Sequence, residues 1–141
     1  MLDLILILDA ASGIALFEHQ GAHVLIDGDH ADIFSGFLSA VQSVTVELKI
    51  GALTQLSTDT HHCIIHREGP IMALAIVDSQ ENVAYWQFKT KLIGEQFARR
   101  FVTANYSANN LDVFSPFEEQ LVKIVKLPIA ALSHEIDNCM Q

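Results

Sequence analysis

The sequence predicts an α/β (α+β) domain in which a five-stranded, mainly antiparallel sheet carries helices on both faces. Three observations lead there. Runs with strand and helix periods follow one another in the order β-β-α-β-β-β-α-α. Two strand-like runs, Leu2 to Leu8 and Ile71 to Val77, are apolar on both faces, so each needs cover above and below and belongs at the centre of a sheet. The chain has 141 residues, a single-domain length that buries roughly two-thirds of its unfolded surface. Residues 1–141 are therefore read as one domain, with a core of about 2–126 and an extension over 127–141.

In the first run Leu2, Leu4, Leu6 and Leu8 share one face and Ile5 and Ile7 the other. Asp9 to Gly13 supplies turn chemistry, with Gly13 free to take a positive φ, and Ile14 to His19 returns as the second strand of a hairpin. Residues 20–31 read as a polar loop. From Asp32 the period changes: Ile33, Phe37, Val41, Val44 and Leu48 recur at helical spacing, with Asp29 or Asp32 as the cap. Three short runs follow, Gly51 to Ser57, His62 to Arg67 and Ile71 to Val77, as a meander whose first strand is edge-like. Val83, Trp86, Ile93, Phe97 and Phe101 then form one stripe of a long helix reaching about Asn105. Ser115-Pro116-Phe117-Glu118 combines an N-cap serine, a proline at the first helical position and a glutamate placed for a capping box. Phe117, Leu121, Ile124 and Val125 supply the buried face of that last helix, and a short helix is expected after Pro128.

Half of the residues are hydrophobic and the mean hydropathy is +0.30, which calls for a large core, a covered interface, or both. The net charge of −9 is uneven: residues 1–88 hold Lys49 and Arg67 against eleven acids, and residues 89–141 hold six bases and six acids. Such a surface repels phosphate backbones and anionic lipid, so neither nucleic acid nor a membrane surface is expected as a partner. No run is long and apolar enough to span a bilayer, and Leu2 to Leu8 lacks the basic leader of a signal peptide. Cys63 and Cys139 show no paired spacing, which fits a reducing cytoplasm. Any approach to a membrane is expected through a partner.

The element order resembles that of the longin domain over residues 2–126, in the opening hairpin with Ser12-Gly13 in its turn and in Ile33-Phe34-Ser35-Gly36-Phe37-Leu38-Ser39-Ala40 opening the first helix. The likeness is greatest to small, free-standing longin-like proteins. The related roadblock fold begins with a helix before the first hairpin, whereas strand-like residues here begin at Leu2, so the longin pattern is preferred. The resemblance implies a sheet order of 2-1-5-4-3, with one helix on one face and two on the other. It also implies a protein-binding platform that pairs with a like subunit and contacts a small Ras-like GTPase or trafficking machinery. No catalytic residue is carried over.

The candidate chemistry is sparse. His61-His62-Cys63-Ile64-Ile65-His66 holds metal-ligand types, but on a strand His62 and His66 stand about 13 Å apart. One ion would need outside residues such as His19 or His23, so no metal is expected, and the bland reading is a strand with Cys63 buried as a small hydrophobe. Asp27-Gly28-Asp29-His30-Ala31-Asp32 fails as a calcium loop because Asp32 stands at the glycine position and Leu38 at the twelfth. Asp9, Ser12, Ser35 and Ser39 form no nucleophile constellation, and no phosphate-cradling glycine loop with a lysine is present. The sequence therefore predicts a non-enzyme without a cofactor.

Two surfaces are candidates for binding. Gly36 and Ala40 share a helix face, with Ser39 and Ser43 beside them, which admits a close backbone approach. Tyr85, Phe88 and Leu92 form a second stripe on the long helix, either aromatic anchors for a partner or residues covered by the last helix. The reading is a homo- or heterodimerising scaffold or regulator. The alternative is a small-ligand sensor with a pocket between sheet and helices.

Overall fold

The computed structural model describes residues 2–21, 28–101 and 111–126. Strands β1 (Leu2–Asp9), β2 (Ala15–Gln20), β3 (Gln55–Ser57), β4 (His61–Glu68) and β5 (Ile71–Asp78) form one sheet of order β2-β1-β5-β4-β3, antiparallel throughout. Helices α1 (Gly28–Glu47), α2 (Val83–Phe101) and α3 (Phe117–Lys126) accompany it, with a 3-10 turn over Leu111–Phe114.

β1 and β5 are central because their side chains are apolar both ways. Ile5 pairs with Ala75 and Leu6 with Leu74, and all four are at most 1% exposed. One face, with Ile5, Ile7, Ala73 and Ala75, meets α2 and α3 through Trp86, Ile93, Phe97, Phe117 and Leu121. The other, with Leu4, Leu6, Leu8, Met72 and Leu74, meets Leu38 of α1. The hairpin turn forms as its residues dictate: Gly13 has φ 76°, its N–H donates to the Asp9 carbonyl, and Asp9 accepts from the backbone and hydroxyl of Ser12.

Three local expectations differ from the structure. Strand β3 keeps only three residues of the seven-residue run from Gly51; Leu53 is instead held by the Gln42 amide, whose Oε1 accepts from its N–H. Helix α1 begins at Gly28, so Asp29 and Asp32 lie inside its first turns rather than at its cap. The capping box at α3 is not formed by Glu118, whose carboxylate engages His19 Nδ1 on β2 at 2.5 Å. Helix α2 is described to Phe101, and the expected continuation to Asn105 and the short helix after Pro128 lie outside the described residues.

Candidate interaction surface

Over residues 36–47 helix α1 turns polar side chains inward beside Leu38. In this stretch, where its side chains are described, Leu38, Ser39 and Gln42 are buried, at 1%, 8% and 2% exposure. Ser39 donates its hydroxyl to the Ala10 carbonyl at 2.7 Å, and Gln42 spends its amide on the backbone of Leu53. Of the apolar residues that marked the helix, Phe37 and Val44 point outward at 56% and 54% exposure, Val46 joins them at 52%, and Leu48 and Ile50 continue the apolar surface past the helix end. Gly36, Ala40 and Ser43 lie on this outer side. A Cβ added at Gly36 would meet nothing within 4 Å, so the packing of this chain does not require the glycine. From Ile33 to Val46 the sequence has no charged residue. The lack of charge in this run is legible in the residues, but the stripe spacing alone does not say which way the helix faces.

The helix leads through residues 48–54 into β3, the strand at the end of the sheet. Its three-residue length limits the open edge it offers. The opposite edge strand, β2, is partly covered by the 3-10 turn and by the His19–Glu118 contact.

The second candidate stripe is placed differently. Leu92 is 3% exposed and belongs to the core, and Tyr85 and Phe88 are half-buried against it. Tyr85, Trp86, Phe88, Lys89 and Val125 line an open groove of about 740 Å³ between α2 and the end of α3.

The histidines of β4 each have a partner of their own. His61 Nε2 lies 3.1 Å from the buried Asp3 carboxylate, and His62 Nδ1 lies 2.8 Å from Ser57 Oγ. His66 Nε2 lies 2.8 Å from Glu68. Neither Glu68 nor the nearby Glu95 of α2 was connected to His66 by the sequence. Burial pushes the Cys63 thiol up to about 12.

No family model and no curated protein matches the chain. Solved structures do. A Roadblock/LC7 domain from Streptomyces avermitilis is 14% identical, with a TM-score of 0.61 over 73% of this chain and 87% of that one. MglB from Myxococcus xanthus is 9% identical, with a TM-score of 0.59 over 76% of this chain and 82% of that one. At these identities the likeness concerns the fold, and with the strand order it decides it. The chain has the longin/roadblock-type fold. In this longin/roadblock-type domain α1 is, among the described residues, the helix on one sheet face, with apolar side chains on its outer side, while α2 and α3 close the other face. No helix among the described residues is long and apolar enough to cross a membrane.

Proposed function

We propose that this longin/roadblock-type domain is a non-catalytic protein-binding module that pairs through the outer face of α1 with a second copy of itself. In that form it serves as scaffold or regulator of a small Ras-like GTPase or a trafficking-type complex. The carrying observation is the exposed, uncharged apolar side of α1 on a chain of net charge −9. Two acidic copies repel one another wherever their charged surfaces meet, and this side is where they can meet without that cost. Helix α1 has 20 residues and is about 30 Å long. A stable interface of roughly 800 Å² per partner would need the apolar turn at Leu48 and Ile50 and the edge of β3 beside the helix. A like subunit of the same fold would use the same surface in a heterodimer.

The GTPase or trafficking role rests on what longin and roadblock modules commonly do. A ligand sensor is less supported, because the layer between the sheet and α2 and α3 is filled by Phe97, Phe114 and Phe117, each at most 1% exposed.

Light scattering on the wild type and on Val44→Glu tests the pairing. A dimer mass for the wild type and a folded monomer for the variant are expected; a monomeric wild type at the highest soluble concentration overturns it. Pull-downs with Ras-like GTPases in both nucleotide states test the partner class, and retention of none in either state removes it.

A further inference from the structure

We propose that His66, Glu68 and Glu95 form a binding site for one divalent transition-metal ion of the zinc type. The site lies on the α2 side of the sheet, away from the outer face of α1, and does not depend on the pairing proposed above.

His66 and Glu68 are two residues apart on β4 and so point to the same face, the one covered by α2. There α2 comes close because residue 94 is glycine. A Cβ at that position would stand 3.1 Å from His66 Cδ2, 3.4 Å from Ala73 Cβ and 3.8 Å from Glu68 Cβ. The close approach sets the next residue, Glu95, over the His66–Glu68 pair. One donor atom from each of the three residues lies within 4.8 Å of the other two, and His66 Nε2 already stands 2.8 Å from Glu68 Oε2.

A tetrahedral ion with bonds of about 2.0–2.2 Å holds its ligand atoms roughly 3.3–3.6 Å apart. The spacings of 2.8 Å and up to 4.8 Å bracket that range, and the two glutamate side chains would adjust to bind an ion. The donor set suits the ion: one imidazole nitrogen and two carboxylates, whose two negative charges match a dication. All three side chains are partly exposed, so an ion can enter and a water can complete the fourth position. In the metal-free protein the carboxylates are less well balanced. Glu68 pairs with the His66 imidazole, and Glu95 has Lys91, 4.0 Å away and 61% exposed. An ion would replace that arrangement with a bond between β4 and α2, fixing the helix to the sheet.

The rival explanation is a hydrogen-bonded cluster of His66 with Glu68 beside Glu95, with no ion. Calorimetric titration of chelator-stripped protein with Zn²⁺ distinguishes the two, using wild type, His66→Gln and Glu95→Gln, each checked by circular dichroism. Glu95 is a helix-surface residue, so its variant keeps the test readable if His66→Gln fails to fold. The expected result is a saturable ion in the wild type, a thermal midpoint raised by Zn²⁺ and not by Mg²⁺, and affinity lowered by about tenfold or more in every folded variant. Absence of a saturable ion overturns the site. An affinity that stays within about tenfold of wild type in a folded variant does so too, because the ion would then sit on other histidines.

Discussion

Lys89 of α2, only 1% exposed, donates from Nζ to the carbonyl oxygen of Val125 in the last turn of α3 at 2.5 Å. The ammonium thus meets the negative end of a helix dipole, and it lies 4.2 Å from the Tyr85 ring centroid and 5.1 Å from that of Trp86. A buried charge is costly unless its hydrogen bonds are made. Here a carbonyl and two aromatic faces do the work of water, and the bond ties α3 to α2. In Lys89→Met the stem packing survives and the Val125 carbonyl loses its donor. Relief of the buried charge offsets part of that loss, so the expected cost is about 1–2 kcal/mol in urea unfolding. A variant more stable than wild type would show that the charge is a burden the fold does not need.

Phe97 is the hub of the α2–α3 side. Its ring lies 4.8–6.5 Å, centroid to centroid, from those of Phe17, Phe101, Phe114 and Phe117, which come from β2, α2, the 3-10 turn and α3. Replacing it with alanine removes contacts to three other elements and to its own helix, and leaves a cavity that none of them can fill alone. Phe97→Ala should lose about 3–5 kcal/mol of unfolding free energy. A loss below about 1 kcal/mol would mean that the helices do not close on the sheet through this ring.

The central strands were legible because burial on both faces leaves a mark that no other position in such a sheet shares: Leu4, Ile5, Leu6 and Ile7 are all at most 1% exposed. The direction of α1 was not. Phe37, Val41 and Val44 repeat at helical spacing whichever side faces the sheet, and the inward side is held by Ser39 and Gln42, whose partners at Ala10 and Leu53 are backbone atoms. A pattern of hydrophobicity does not register bonds to backbone. The juxtaposition of His66 with Glu95 was hidden for a related reason. It depends on how α2 crosses β4 and on the missing Cβ of Gly94, not on any spacing along the chain.

Helix α1 ends in a left-handed residue that is not glycine. Lys49 has φ 60°, with its N–H on the Val46 carbonyl and the Ile50 N–H on that of Thr45, the bonding pattern of a Schellman motif. An L-residue in this region costs about 1–2 kcal/mol. Lys49→Gly relieves that strain while losing a cation near the helix C-terminus, so a net gain of about 0.5–1 kcal/mol is expected in chemical denaturation. A loss would show that the lysine charge outweighs the backbone strain.

Cys63 sets a pH dependence of known sign. Its thiol goes from 9.0 to about 12 on folding because burial opposes the thiolate. The raised value means that its contribution to stability is complete below about pH 9 and is lost as the pH rises towards 12, at about 1.4 kcal/mol per pH unit between those limits. In a background carrying Cys139→Ser, the stability difference between Cys63 and Cys63→Ala proteins should stay constant to pH 9 and then shift against the thiol. Iodoacetamide should modify Cys63 far more slowly in the native state than in urea. Rapid native-state alkylation at pH 8 would place the sulfur in contact with solvent and remove the effect.

Gly36 separates the two roles open to the outer face of α1. In this chain nothing lies within 4 Å of where its side chain would be. For an isolated monomer Gly36→Ala should therefore only strengthen the helix, by about 0.5–1 kcal/mol. If two copies pair on this face, the glycine is where their backbones approach closest, and larger side chains become progressively costly. Gly36→Ala, →Leu and →Arg should then retain or increase the stability of the dilute monomer while raising the dimer dissociation constant in that order, as measured by sedimentation equilibrium. Equal dissociation constants across the series would mean that the helix pairs elsewhere along its length, at Val44 and Leu48, or not at all.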